Sequence, residues 1–169
     1  EIPGATLVIK DSKGATISSW VTKNTTTSVE LAAGTYTLEE TKAPAGYILN
    51  KNKVTFVVSD DGKVKVNNKE VTVVEIKNTP IIVNISKRSI NGKSELPGAK
   101  LTIKDKDGKV AKDVNGKELT WTSTTEAVKF QLVPGTYFLS EEVAPKGYEL
   151  SETVTKFVVG EDGTVKSDN

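Results

Sequence analysis

The chain has 169 residues and a formal net charge of +1, with 23 basic and 22 acidic side chains, so it lacks the basic excess that indicates a nucleic-acid partner. It contains no His and no Cys, the usual ligands and bases of zinc, haem, iron–sulfur and Cys–His sites, and we expect no cofactor and no metal centre. No apolar run approaches the roughly 18 residues of a membrane span. The absence of Met predicts a piece excised from a longer chain. The absence of Cys suits an extracellular protein stabilised without disulfides, and a reduced cytosolic protein would show the same absence.

The first half of the chain has the pattern of short strands separated by turns. Segments rich in Val, Ile, Thr, Tyr and Phe alternate with Gly, Asp and Asn pairs, and no stretch sustains a helical period. We expect hairpins at residues 10–14 and at Asp60-Asp61-Gly62. The segment VTVVEIKN, residues 71–78, is predicted to form the last strand of this half.

The second half repeats these elements in the same order. Gly4 of a Pro-Gly-Ala motif returns as Gly98, an offset of 94, and Tyr36 of a Gly-Thr-Tyr motif returns as Tyr137, an offset of 101. The difference of 7 corresponds to an insertion at residues 113–118, whose Asn-Gly pair predicts a turn. Such a repeat predicts an all-β protein of two tandem immunoglobulin-like antiparallel β-sandwiches, at residues 1–79 and 81–169.

Two of the predicted strands carry an acid where an apolar side chain is expected. Alternate residues of a strand share a face, so the apolar stripe of YTLEE (36–40) ends on Glu40, and that of YFLSEE (137–142) ends on Glu141. A carboxylate that faces the core is costly to keep ionised. The same alternation places the neighbouring acids, Glu39 and Glu142, on the solvent side.

Two further strands end an apolar stripe on a polar group. IIVNISK (81–87) places the amine of Lys87 on the face of three apolar residues, and VTVVEIKN (71–78) places the carboxamide of Asn78 on the face of Val74 and Ile76. An amine, a carboxylic acid and a carboxamide in one dry interior are the ingredients of a spontaneous Lys–Asn isopeptide bond. The amine attacks the amide, and the neutral acid polarises its carbonyl and moves protons while ammonia leaves.

Each of these residues also has a purely structural explanation. A Lys at the end of a strand can extend its ammonium group into water, and an Asn before Thr-Pro can cap a turn. A Glu close to a turn can be solvated. The alternation of faces alone leaves these alternatives open.

At this point the sequence resembles a known family. YTLEETKAPAGY (36–47) resembles the E-box of Gram-positive pilins, and ISKR, ELPGA, the Gly-Thr-Tyr strand and the closing NTP segment resemble the B-type (CnaB-like) repeat of collagen-binding surface proteins. The second repeat is similar to the B-type domain of a streptococcal fibronectin-binding protein. The resemblance implies an inverse, transthyretin-like sandwich used as a stalk in sortase-anchored adhesins and pili. It also implies residue roles: Lys87 as amine donor, Glu40 and Glu141 as catalytic acids, and Asn78 as carboxamide partner.

The chain departs from the family pattern at its two outer strands. Residues 1–79 contain no equivalent of Lys87, and residues 81–169 contain no equivalent of Asn78, so each repeat lacks one outer strand. We expect either a fragment of a longer array or strands supplied by a neighbouring chain. No cross-link within this chain can be derived, because Lys87 and Asn78 belong to different predicted domains.

Three classes of function compete at this stage. The favoured one is a structural stalk module of an extracellular, cell-wall-anchored bacterial adhesin or pilin, with adjacent repeats or neighbouring chains as partners and the anchor outside these residues. The second is a domain that binds a host matrix protein or a glycan, with Trp20 and Trp121 as the first candidates for contact. An enzyme with turnover is disfavoured, since no His base is present and Glu40 and Glu141 lie in separate repeats.

Overall fold

The computed structural model describes residues 1–168 and divides the chain into two compact units, unit 1 at Glu1–Thr79 and unit 2 from Pro80 onward. All regular structure in these residues is β, and the ladders of both large sheets are antiparallel, so the predicted all-β class is confirmed. Among residues 1–168 there is no helix that could cross a membrane by its length and apolar character.

Unit 1 contains one large sheet and one small sheet. The large sheet has six strands in the order β2-β1-β3-β5-β6-β7, and β4 pairs with β8 in the small one. The strands are β1 (Thr6–Asp11), β2 (Thr16–Val21), β3 (Gly34–Lys42), β4 (Tyr47–Ile48), β5 (Val54–Val58), β6 (Val64–Val66), β7 (Lys69–Val71) and β8 (Thr79–Pro80).

Unit 2 repeats the large sheet but forms a different small one. Its large sheet has the order β11-β10-β13-β14-β15, and its small sheet pairs β9 with β12. The strands are β9 (Ile82–Ile85), β10 (Lys100–Asp105), β11 (Thr120–Thr122), β12 (Val128–Gln131), β13 (Gly135–Val143), β14 (Thr155–Val159) and β15 (Val165–Ser167).

The core of each unit lies on one face of its large sheet. In unit 1 it centres on Ile9, Leu38 and Phe56, with the Tyr36 ring stacked 5.7 Å from that of Phe56. In unit 2 the largest fully buried side chains come from both sheets, as a sandwich requires. They are Ile81, Val83, Ile103, Leu119, Leu132 and Val159.

The hairpins form at the turns that the sequence predicts. The turn predicted at residues 10–14 begins at the end of β1 and leads into β2, and Asp60-Asp61-Gly62 connects β5 to β6. In unit 2 the inserted residues make a small hairpin of their own, closed by a bridge between Lys112 and Glu118. Gly116 adopts φ of 81° in this turn, a conformation that glycine reaches without steric cost.

The prediction of a continuous strand over residues 71–78 is wrong. Only β7 and β8 are strand, and residues 73–78 between them make no ladder. The Asn50 side chain donates to the Lys77 carbonyl at 2.8 Å, so a side chain takes the place of a neighbouring strand there. Exposure still alternates along this segment as it would in a strand, with Val74, Ile76 and Asn78 half-buried and the residues between them exposed.

Candidate functional site

Both units bury a glutamate near the end of their long central strand. Glu40 on β3 lies opposite Leu7, and Glu141 on β13 lies opposite Leu101. In each case the register shifts at the next residue, which marks a β-bulge that redirects the chain just beyond the acid. Glu40 is 7% exposed and the Glu141 side chain 3% exposed. The strand therefore holds each acid on its buried face up to the point where the regular pairing ends.

A turn of sequence Ala-Pro-x-Gly-Tyr follows each acid and brings the chain back over it. The backbone N–H of Asn50 donates to Oε2 of Glu40 at 2.7 Å, and that of Ser151 donates to Oε2 of Glu141 at 2.8 Å. The glycines of the two turns, Gly46 and Gly147, have φ of 76° and 84°. Because a side chain would be strained at this φ, glycine allows the tight return that places the N–H. One oxygen of each acid is thus fixed by the main chain.

In unit 1 the acid is paired with a carboxamide. Asn78 Nδ2 donates to both oxygens of Glu40, at 2.9 and 2.7 Å, and lies 3.2 Å from the Ile48 carbonyl. The contact joins β3 to the segment before β8, which is 38 residues away along the chain. A buried carboxylate is stable only when donors satisfy it, and Asn78 and the Asn50 N–H supply them here.

In unit 2 the acid is paired with an amine. Lys87 Nζ lies 3.0 Å from Oε1 of Glu141, with the lysine side chain 21% exposed. The two groups are close, but the contact lacks the alignment of a hydrogen bond, and Oε1 is a buried oxygen that accepts none. Glu141 therefore has one satisfied oxygen and one that faces a nearby amine.

The backbone of Lys87 is held by the chain that follows it. Its N–H donates to Oε2 of Glu95 at 2.9 Å, and its carbonyl accepts from the Leu96 N–H at 2.7 Å. The Ser86 hydroxyl, the Lys87 N–H and the Arg88 guanidinium hold the pKa of Glu95 below its ordinary value, against the opposing effect of burial. Glu95 thus remains ionised in the neutral range and fixes the point from which the Lys87 side chain reaches the acid.

The four residues proposed from the sequence come together as two pairs. Glu40 contacts Asn78 within unit 1, and Lys87 contacts Glu141 within unit 2. Each pair contains the acid and one of the two groups that an amide exchange requires. Among the described residues, no group of three or more His, Cys, Asp or Glu side chains could hold a metal ion.

The sequence of each unit matches one family model. The model of the SpaA prealbumin-like fold domain matches residues 1–72 and again residues 82–169. The chain belongs to this family. Each unit is therefore a SpaA-type domain, and the prealbumin-like fold agrees with the transthyretin-like sandwich expected from the sequence.

Three solved structures resemble the pair of SpaA-type domains. The Bacillus anthracis TIE protein has a TM-score of 0.50 and 25% identity over 96% of this chain and 29% of its own. The C-terminal fragment of the pilus adhesin SpaC from Lactobacillus rhamnosus GG has a TM-score of 0.49 and 21% identity, over 98% of this chain and 79% of its own. BcpA, the major pilin subunit of Bacillus cereus, has a TM-score of 0.43 and 15% identity, over 95% of this chain and 92% of its own. The chain thus spans less than a third of the TIE protein. No curated protein sequence matches it.

Sequence reasoning missed two parts of the site in these SpaA-type domains. The first is Glu95, and its signal is that a glutamate precedes the Pro-Gly-Ala motif in both repeats, as Glu1 and Glu95. In unit 1, which lacks an equivalent of Lys87, Glu1 instead accepts from the Thr26 hydroxyl. The second part is the pair of backbone N–H donors after the Gly-Tyr turns, for which no residue identity is a signal.

The two tryptophans pack against the domains that carry them. Trp20 lies against the apolar core of unit 1, and Trp121 meets the Phe130 ring edge-on at 5.0 Å. Trp121 also forms a wall of a cleft of ≈ 250 Å³ in unit 2, together with Lys87, Glu95 and Glu126. Both indoles are half-buried rather than displayed on the surface.

Proposed function

We propose that the two SpaA-type domains form a structural stalk module of a cell-wall-anchored adhesin or pilin on a Gram-positive cell surface, braced by Lys–Asn isopeptide bonds of the CnaB type. The observation that carries the proposal is the contact of Lys87 Nζ with Glu141 Oε1 at 3.0 Å, around an acid side chain that is 3% exposed. The pairing of Asn78 with Glu40 in unit 1 supports it, since it adds the remaining group at the equivalent acid. Membership of the SpaA family and the E-box motif give the expected context.

The chemistry follows from the two pairs taken together. A proton passes from the Lys87 ammonium to the Glu141 carboxylate, which leaves a neutral amine beside a neutral acid. The amine nitrogen attacks the side-chain carbonyl carbon of an Asn, and the acid donates a hydrogen bond to the carbonyl oxygen. The C–N bond to the amide nitrogen then breaks, and that nitrogen takes up the one proton that the attacking amine loses and leaves as ammonia. The products are one secondary amide and one NH₃, with no oxidant or cofactor required.

Each group has a defined role in this step. Lys87 is the nucleophile, Glu141 and Glu40 are the acids of their respective units, and Asn78 is the carboxamide of unit 1. In unit 1 the amide nitrogen of Asn78 donates to the Glu40 carboxyl group. A protonated Glu40 would instead donate to the amide oxygen, which requires a half-turn of the Asn78 side chain.

An isopeptide bond would give a stalk mechanical strength. A covalent tie between outer strands restricts the unfolded chain much as a disulfide that closes a long loop does, a stabilisation of about 4 kcal/mol. Pulling on the two ends would load this bond before the hydrogen bonds of the ladders could separate. Neither effect depends on an oxidising environment.

The test supplies the carboxamide that unit 2 lacks among the described residues. Unit 1 carries it on residues 69–80, and at the repeat offset of 101 these residues would follow Asn169 directly. A chain with a second copy of 69–80 appended after Asn169 is expected to have an intact mass lower by one NH₃ than its composition requires. Tandem mass spectrometry should place the link between Lys87 and the appended Asn.

Three matched variants identify the roles in the extended chain. Lys87→Ala, Glu141→Ala and replacement of the appended Asn by Ala should each restore the full mass, whereas Glu142→Ala, at the exposed neighbouring acid, should not. A full mass in the extended chain with all three groups present would contradict the proposed bond formation.

The alternative, binding of a host matrix protein or glycan, is separable by a different measurement. The packing of Trp20 and Trp121 within their domains supports a core role for both. Titration of the chain with sugars is therefore expected to leave the tryptophan fluorescence unchanged. A saturable change that Trp121→Phe removes would favour ligand binding at the cleft of unit 2.

A further inference from the structure

We propose that Asn91, in the loop between β9 and β10, is a site of spontaneous covalent modification, at which the asparagine converts to aspartate and isoaspartate. Asparagine is among the thermally labile residues, and the chain has two Asn-Gly pairs, Asn91-Gly92 and Asn115-Gly116. The reaction is independent of the isopeptide chemistry, because its nucleophile is a main-chain nitrogen rather than the Lys87 amine.

The reaction needs the Asn91 side chain, the peptide group that follows it and water. The Gly92 nitrogen loses its proton to a base in solution and attacks Cγ of Asn91, which is close enough in the chain to close a succinimide ring. The Cγ–Nδ2 bond breaks, and the amide nitrogen takes up one proton and leaves as NH₃. One water then opens the ring at either carbonyl, adding OH to the carbon and H to the nitrogen. The product carries a negative charge between two cations of the loop, Arg88 and Lys93.

The loop leaves this peptide group accessible. Residues 90–94 are exposed, and Ile90 at the tip is 99% exposed. In the part of the chain that the structure describes, one main-chain hydrogen bond lies within residues 89–94, from the Gly92 N–H to the Ser89 carbonyl at 3.1 Å. A Cβ at residue 92 would overlap with the Ser89 hydroxyl group, so glycine fits here without a shift and has no side chain to shield its nitrogen.

The second Asn-Gly pair is also exposed but is held by more hydrogen bonds. The Asp113 carboxylate accepts from the N–H groups of Asn115 and Lys117, each at 2.9 Å. The Asp113 carbonyl accepts from the Gly116 N–H at 3.0 Å, and the Val114 N–H donates to a carbonyl of β12 at 3.2 Å. Ring closure requires rotation of the peptide group between residues 115 and 116, and this rotation would break several of these bonds.

The two sites form a matched pair in sequence. Each has Asn-Gly-Lys preceded by a β-branched residue, Ile90 or Val114, so the unfolded chain should convert both at similar rates. A difference in the folded chain therefore reports the hydrogen bonds of the turn. Because further hydrogen bonds must break at Asn115, Asn91 should convert about tenfold faster in the folded chain.

The experiment incubates the full 169-residue chain at mildly alkaline pH, folded and in urea, and follows both sites by tryptic peptide mapping. Trypsin releases them as the pentapeptides SINGK (89–93) and DVNGK (113–117). Conversion replaces NH₂ by OH, which the peptide mass reports, and a sample taken at zero time corrects for conversion during digestion. Methyl transfer from labelled S-adenosylmethionine by an isoaspartyl methyltransferase identifies the isoaspartate.

Variants of the chain assign the signal. Asp113→Ala should raise the rate at Asn115 toward that at Asn91, since it removes the carboxylate that holds the turn. A succinimide at residue 91 lowers the mass by one NH₃, as an isopeptide bond does, but it should persist in Lys87→Ala and disappear in Asn91→Ser. Equal conversion of the two sites in the folded chain, faster conversion at Asn115, or no conversion at Asn91 would overturn the proposal and leave the isopeptide chemistry untouched.

Discussion

Unit 1 and unit 2 are two versions of one fold that differ in which outer segment each contains. In unit 2, β9 pairs with β12, and Leu132, whose N–H donates to the Ile81 carbonyl, is 0% exposed, whereas the equivalent Leu31 of unit 1 is half-buried. Unit 1 has the segment before β8, and Tyr47 is half-buried, whereas the equivalent Tyr148 is 51% exposed. Equivalent positions thus differ in exposure between the two units, in step with the outer segment that each unit contains.

The buried glutamates do not follow this rule. Glu40 and Glu141 are shielded in both units, although the segment that supplies their partner differs. Their burial depends on the central strand and the Gly-Tyr turn, which both units share. The strand and the turn that both units share therefore position the acid, whereas the outer segment that is present determines the partner of the acid.

The sharpest test of the comparison is removal of the same leucine from both units. Leu132→Ala should cost about 2–5 kcal/mol of unfolding free energy, because removal of a fully buried side chain leaves a cavity in the core. Leu31→Ala should cost roughly 1 kcal/mol, because part of that side chain is already in water. Urea denaturation followed by tryptophan fluorescence measures both, and equal losses would contradict the different burial of the two positions.

The second test removes the partner of the acid in unit 1. Asn78→Ala should destabilise that unit by about 1–3 kcal/mol, because the buried Glu40 carboxylate then keeps only the Asn50 N–H. Lys77→Ala is the matched control, since its exposed side chain makes only a long contact of 3.8 Å with Glu75, and a change within about 0.5 kcal/mol is expected. Denaturant midpoints of the two variants should differ clearly.

The third test concerns the pH dependence of unit 2. The folded pKa of Glu95 lies below its ordinary value, so its contribution to stability is fully present above the ordinary glutamate range, about 4.3, and is lost as the pH falls through the folded pKa. Glu95→Gln should flatten the acid limb of a stability profile that is followed through Trp121 in a Trp20→Phe background. An unchanged acid limb would show that Glu95 does not hold the Lys87 segment.

The smallest effect is expected at the exposed side of the central strand. Hydrogen bonds from Lys53 and Lys10 hold the pKa of Glu39 below its ordinary value, and Lys104 is the corresponding neighbour of Glu142 at 3.8 Å. Lys53→Ala should raise the pKa of Glu39 toward the ordinary range without a measurable change in the unfolding midpoint. Carboxyl chemical shifts in an NMR titration report this directly.

Much of the fold was predictable because it rests on two local patterns, alternation along strands and glycine-containing turns. The alternation of YTLEE (36–40) and IIVNISK (81–87) correctly places Glu40 and Lys87 on the inner side. It also describes the exposure of residues 74–78, although no ladder forms there. Side-chain alternation is a property of extended backbone, whereas a ladder requires a neighbouring strand with unpaired groups, which a single segment does not encode.

The contacts within the site were less predictable for a physical reason. The β-bulges after Glu40 and Glu141 follow from a mismatch between two paired strands, and neither strand alone shows it. The hydrogen bond from the Lys87 N–H to Glu95 forms because the chain reverses direction between the two residues, and residue spacing does not specify this reversal. Pairwise geometry of this kind becomes visible only when the strands are assembled.

The N–H groups of Asn50 and Ser151 have a consequence for how these domains can diverge in sequence. Each donates to its carboxylate through the peptide group, so this contact does not depend on the side chain at that position, and the two repeats carry different ones. The contact with the carboxylate therefore tolerates any residue except proline, which has no amide hydrogen to donate. Distant members of the family could keep the same carboxylate geometry without any sequence similarity at the positions of Asn50 and Ser151.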